Sequence, residues 1–305
     1  MGNATAMTSN PETAGGAVRY RHVLVPLDGS RFAAAALRTA QALAARFGAE
    51  LHAVSVAEHD DEVDVMRSAA AAALGPSAGP EQVHVVVGDD AAAAIADTTT
   101  DLGSALICMS THGRGRIAGA VVGSVARSLL QATREPIVVV GPFADRPSPF
   151  LESAPPVPLS VRRLVACVDG SPASESVLPV AAGWADTLGM SLTIVTVAEP
   201  SPSPLRPDAA WHRRHGPDED ADAYAARLGE KWKDVAADVD TKVVYDPISP
   251  ADGVRTYLDQ HPAGMVAVTT HARTGLRRVL LGADAANIVH ASTAPTLVVP
   301  LTGDY

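Results

Sequence analysis

The sequence predicts an α/β fold built from two repeated doubly wound domains, each a five-stranded parallel sheet in the order 3-2-1-4-5 with helices on both faces. Three observations carry this expectation. One unit occurs twice, strand-like and helix-like periodicities alternate strictly within it, and the strand-like segments are continuous Val/Ile/Leu runs suited to burial on both faces. A length of 305 residues agrees, since it accommodates two domains of about 150 residues each.

The repeat is ordered along the whole chain. RHVLVPLDGS at 21–30 returns as RRLVACVDGS at 162–171, SVAE at 55–58 as TVAE at 196–199, STHGR at 110–114 as TTHAR at 269–273, and EPIVVV at 135–140 as APTLVV at 294–299. The offset is 141 from Asp28 to Asp169 and 159 from His112 to His271. A single change of offset means about 18 extra residues in the second unit, placed in the Pro-rich, polar stretch 200–220.

Within the first unit the elements follow in order. HVLVPL at 22–27 reads as a buried strand, and Asp28-Gly29-Ser30 leads into an Ala/Leu helix from Ser30 to Phe47 that Gly48 closes. A second strand at 51–57 precedes an Ala-rich helix at about 62–74, and a third strand at 82–87 precedes a helix at about 90–101. The fourth strand, 104–110, runs into a Gly-rich loop and a helix starting near Gly123; the fifth is 136–140. Residues 1–20 read as a flexible tail. They lack the basic start and apolar core of a signal peptide, and Ala6 stands where myristoylation wants Ser or Thr. The expected organisation is therefore a tail at 1–20, a first domain at 21–143, a linker with five prolines at 144–160 and a second domain at 161–305.

Composition removes several function classes. A net charge of −10 and a pI near 5.4 argue against nucleic acid or an anionic membrane as partner. Cys108 and Cys167 each lie inside apolar runs and read as core thiols rather than disulfide, redox or metal residues, which fits a reduced, cytoplasmic protein.

In an open doubly wound sheet, ligands bind beyond the carboxyl ends of the strands where the strand order reverses, here between the first and fourth strands. Asp28, Gly29 and Ser30 leave the first strand there; Ser110, Thr111, His112, Gly113, Arg114 and Gly115 leave the fourth. Gly123 and Ser124 open the next helix, whose free N–H groups and dipole favour an anion, and Arg114 and Arg116 can pair with phosphate. Asp28 can accept from ribose hydroxyls or bind through water or a metal. Together these residues read as a nucleotide site.

A strand ending in Asp-x-Ser, a Val ending the second strand, and (Gly/Ser)-x-x-Gly-x9-Gly-(Ser/Thr) after the fourth resemble the universal stress protein family in its tandem two-domain form, over about Arg21 to Leu301. The resemblance implies that Leu27 and Asp28 flank an adenosine, that Val56 gives backbone contacts to adenine, and that Met109 and Ser110 border base and ribose. It also implies that Gly113, Gly123, Ser124 and Val125 hold phosphates. Ser110 departs from the family's Gly. In the second unit Asp169 and Val197 persist, but Thr269-x-x-Ala272, nine residues and Gly282-Ala283 lose two glycines and a hydroxyl, so that site is expected to be weak or empty.

Simpler readings compete with several of these signals. Asp-Gly-Ser after a strand is by itself a turn and helix cap. His112 and His271 have no metal-spaced partner nearby and read as loop residues; the G-x-G-x-x-A at Gly113–Ala118 follows a fourth strand rather than a first; no Walker A sequence occurs. Ser110, His112 and Asp28 lack the nucleophile elbow of a triad. The expectation is thus an ATP-binding stress-response or signalling protein, with or without Mg, that is not an enzyme in its main role. A slow ATP-hydrolysing or adenylate-type enzyme and an interaction module with vestigial sites are the alternatives. The two short, apolar fifth strands would be exposed edges, which predicts that they pack against each other as an internal pseudo-dimer, with two chains forming a homodimer.

Overall fold

The structure, a computed structural model, describes residues 18–111, 122–133, 135–144, 161–198, 211, 219–235, 238–272, 279–280 and 283–301. The first half runs β1 (His22–Pro26), α1 (Arg31–Phe47), β2 (Glu50–Ala57), α2 (Val63–Leu74), β3 (Val83–Val87), α3 (Ala91–Leu102), β4 (Ala105–Ser110), α4 (Ser124–Ala132) and β5 (Ile137–Val140). The second half repeats it with β6 (Arg163–Val168), α5 (Pro172–Glu175), α6 (Val177–Leu188), β7 (Ser191–Ala198), α7 (Ala221–Trp232), β8 (Val239–Tyr245), α8 (Pro250–Gln260), β9 (Met265–Thr269), α9 (Ala283–Ala291) and β12 (Thr296–Val299). Two short strands, β10 (His271–Ala272) and β11 (Val279–Leu280), form an antiparallel pair after β9.

Local chemistry sets the helix ends. Ser30 Oγ accepts from the Ala33 N–H at 3.2 Å to start α1, and Gly48, at φ +63°, ends it with an N–H bond to the Ala44 carbonyl. Where the first half has the one helix α1, the second half has two, α5 and α6. Pro179 has no N–H to offer the Glu175 carbonyl one turn earlier, and the break falls at Ser176.

Among the described residues, ten strands form one sheet in the order β3-β2-β1-β4-β5-β12-β9-β6-β7-β8. Each half keeps the expected 3-2-1-4-5 order with parallel neighbours; the halves join where β5 pairs antiparallel with β12, with Ile137, Val138 and Val139 opposite Val298, Leu297 and Thr296. The fifth strands therefore bury each other's edges. Helices α1, α2, α6 and α7 cover one face over an apolar core, and α3, α4, α8 and α9 cover the other.

One expected boundary shifts. Val18 and Tyr20, placed in the tail by the sequence, are buried: the Val18 N–H donates to Thr187 Oγ1 at 3.0 Å, and Tyr20 packs edge-on against Phe47 and Trp184. Their apolar side chains fill the seam between α1 and α6, which outweighs the freedom of a terminus. Residues 1–17 and 145–160 lie outside the described residues. Of the expected polar insertion at 200–220, Trp211 is also buried, packing against Tyr224 with ring centroids 5.3 Å apart and the ring planes tilted by 47°.

Candidate functional site

The chain turns sharply at the carboxyl end of β1. Asp28 accepts from the Ser30 N–H at 2.9 Å, Gly29 takes φ +78°, and the Leu27 carbonyl accepts from Ser55 Oγ at 2.8 Å. This fixes Asp28 at the rim of the sheet. Across the switch point, the Gly123 N–H donates to the Thr111 carbonyl at 2.7 Å and the Thr111 N–H to the Val140 carbonyl at 3.0 Å, so the start of α4 is tied to the ends of β4 and β5. Gly123 caps α4 without a side-chain hydrogen bond, which leaves the first-turn amides to the space in front of them.

That space is a cavity of about 350 Å³, within the usual range for small-molecule sites. Leu27, Asp28, Val56, Met109, Ser110, Gly123, Ser124 and Val125 all line it. Gly113 and Arg114, with His112, Gly115 and Arg116, lie outside the described residues. The sequence reading did not anticipate Val54 and Ile95, which form an apolar floor with Met109, nor Glu58, Glu62 and Met66 on the β2–α2 side. Glu58 had a signal, since it ends a repeated Val-Ala-Glu. Glu62 folds back to accept from the Glu58 N–H at 2.9 Å.

The second half repeats the turn. Asp169 accepts from the Ser171 N–H and hydroxyl at 3.0 and 2.6 Å. There, however, α8 lies directly on the counterpart of Val56: a Cβ at Gly253 would come within 2.7 Å of Val197 Cγ1. Thr269 is turned inward, its hydroxyl donating to the Val299 carbonyl at 3.2 Å. β11 runs alongside α4 of the first half. The side chain of His271 and the residue Gly282 lie outside the described residues.

Cys108 is buried and Cys167 half-buried. Cys108 and Cys167 are free, and burial pushes both well above the usual thiol range, Cys167 to about 12. Among the described residues no helix is long and apolar enough to cross a membrane.

Fold and cleft thus define a tandem α/β protein of the open, doubly wound kind, joined edge to edge, with a cavity at the switch point of its first half. The universal stress protein family matches at residues 19–141 and again at 160–300, and the chain belongs to that family. A universal stress protein of Mycobacterium tuberculosis is 29% identical over 204 residues, covering 66% of this chain and 60% of that protein. Another from the same organism is 26% identical over 193 residues, covering 63% and 61%. These matches span less than two thirds of the relatives' own length. A universal stress protein from Archaeoglobus fulgidus superposes with a TM-score of 0.61 at 15% identity, covering 93% of this chain and 97% of that one. A putative member from Pseudomonas aeruginosa gives 0.58 at 16%, covering 92% and 93%. At such identities the likeness is one of fold.

Proposed function

We propose that this chain is a cytoplasmic, nucleotide-responsive member of its family that binds ATP in the first-half cleft and holds it rather than turning it over. The observation that carries the reading is the uncapped start of α4 facing Asp28 across a single cavity. Adenine would lie on the apolar floor of Val54, Ile95 and Met109, beside the Val56 backbone. The Asp28 carboxylate would accept from the ribose hydroxyls. The Ser124 and Val125 amides and the Ser124 hydroxyl would donate to phosphate oxygens, with Gly113 and Arg114 as the further contacts suggested by the sequence.

Binding is favoured over turnover by where the spare carboxylates stand. Glu58 follows β2 and Glu62 precedes α2, two strands away from β4 and α4, which is about 10 Å at ordinary strand spacing. Among the described residues, the groups at the start of α4 that face the cavity, Gly123, Ser124 and Val125, include no base that could activate a water there. The second half, with Gly253 pressed on Val197, is read as a non-binding partner domain.

The test is to purify the protein gently, denature it and identify what is released by chromatography and mass spectrometry. Near-stoichiometric ATP supports the reading. No released nucleotide together with no binding on titration would make the cleft vestigial, and ATP turnover well above background would make the protein an enzyme.

A further inference from the structure

A second polar cluster lies at the opposite, amino end of the same half-sheet. The parallel register sets His22 of β1 opposite Glu50 of β2, Leu24 opposite His52, and Val54 opposite His84 of β3. Because strand side chains alternate, Glu50 and His52 emerge on one face. His22 and His84 emerge on that same face, since each sits two residues from a side chain of the α3–α4 core, Leu24 and Val86. Three histidines from three strands thereby meet in a row.

Their atoms are close and directed. His22 Nδ1 is 3.0 Å from His52 Nε2, and Glu50 Oε2 lies 3.8 Å from the first and 3.5 Å from the second. A tetrahedral ion about 2.0–2.1 Å from each nitrogen and oxygen needs its donors roughly 3.3–3.5 Å apart. The observed spacings bracket that value. We infer that His22, Glu50 and His52 form a zinc site, with water as fourth ligand and His84 orienting His52.

Three further observations bear on it. His52 Nδ1 is 3.1 Å from His84 Nε2, so a ring that gives Nε2 to a metal can donate its remaining N–H to His84, an outer hydrogen bond that would fix the ring's orientation. The His52 side chain is only 4% exposed while that of Glu50 is 67% exposed, so a fixed, buried ligand is paired with an open approach for ion and water. Finally, two neutral imidazoles and one carboxylate leave a single negative charge for the dication, and this nitrogen-rich set suits zinc better than magnesium or calcium. Without metal, the 3.0 Å contact is a hydrogen bond between rings; when zinc takes both nitrogens, the proton between them moves to the other nitrogen of its ring, so each imidazole stays neutral. A bound ion would clamp β1 to β2. The inference does not rest on the nucleotide reading, because the cluster is at the other end of the strands.

The test uses the full chain stripped with EDTA, then titrated with zinc chloride alone, with magnesium and calcium chloride as controls. Expected are one zinc per chain lost in both His22→Gln and Glu50→Gln, a rise in melting temperature with zinc but not with the controls, and visible absorption of tetrahedral form when cobalt(II) is added. Both substitutions sit at partly exposed positions, and circular dichroism checks that the variants fold. A loss of affinity of about tenfold or more in each variant supports the site. No zinc binding by the folded wild type, or zinc binding undiminished in the two folded variants, as would follow from other histidines of the chain, would overturn it.

Discussion

Val138 of β5 and Leu297 of β12 face each other as antiparallel partners, and neither has any exposed surface. This pair sits at the centre of the seam that makes one ten-stranded sheet from two five-stranded ones. Each half keeps its parallel order, so among the described residues the seam carries the only antiparallel step in the long sheet.

Replacing a neighbour in that seam should be severe. Val139, fully buried opposite Thr296, has no acidic side chain as its cross-strand partner. Val139→Lys should cost at least about 3 kcal/mol, because a buried ammonium without a partner is strongly destabilising. Thermal melting and the yield of soluble protein would show it; a variant with wild-type melting and solution mass would remove the seam from the account.

Gly141, just after β5, gives a finer probe. A Cβ there would sit 2.4 Å from the Val289 carbonyl oxygen of α9, across the junction. Gly141→Ala should therefore force the halves apart and destabilise by about 1–3 kcal/mol, the usual range for overpacking. Denaturant unfolding measures this, and an unchanged midpoint would mean that the junction yields freely.

Much of this architecture was legible in the sequence because its signals are local. The Asp28-Gly29-Ser30 turn, the Gly48 stop and the apolar runs of β1, β4 and β5 each act within a few residues, and uncovered fifth strands demand a partner. What escaped depends on distant contacts. Nothing near Val18 and Tyr20 announces that Trp184 waits on α6. Glu62 and Met66 reach the cleft only through the docking of α2, and Gly253 closes on Val197 only through that of α8. The histidine row is likewise a product of strand register: His22, His52 and His84 lie about thirty residues apart in sequence and meet only when β1, β2 and β3 pair.

That row should make the metal-free protein acid-sensitive. Burial holds the His52 and His84 imidazoles below the ordinary value of 6.5, helped for His52 by His22 and His84, opposed by Glu50, and for His84 by the Arg67 charge. From about one pH unit above 6.5 upward, folded and unfolded chains are both largely neutral at these rings. Below it the unfolded chain takes up protons that the folded rings resist, so stability falls with pH. Burial raises the Glu135 carboxyl and works in the opposite direction, so the comparison should be made against a variant. His84→Gln should lose less melting temperature between about pH 7.5 and about pH 5.5 than wild type does. An equal loss would exclude His84 as a source.

Within the cleft, Gly123→Val should abolish strong nucleotide binding by placing a branched side chain where phosphate would meet the α4 amides. Asp28→Ala should weaken it by about tenfold to a hundredfold, as expected for losing a charged hydrogen-bond acceptor. Replacing Gly282 should leave it unchanged. Melting each variant without ligand separates these effects from folding, since Asp28 also holds the turn before α1.

The cleft geometry supports one nucleotide site, in the first half. Isothermal titration of the full chain with ATP tests it most directly, after any bound nucleotide has been removed. One strong site per chain is expected, lost in Gly123→Val, with saturation at a hundredfold excess over Kd raising wild-type stability by about 2.7 kcal/mol. Two equivalent sites per chain, or no heat of binding with an unchanged melting temperature, would contradict it.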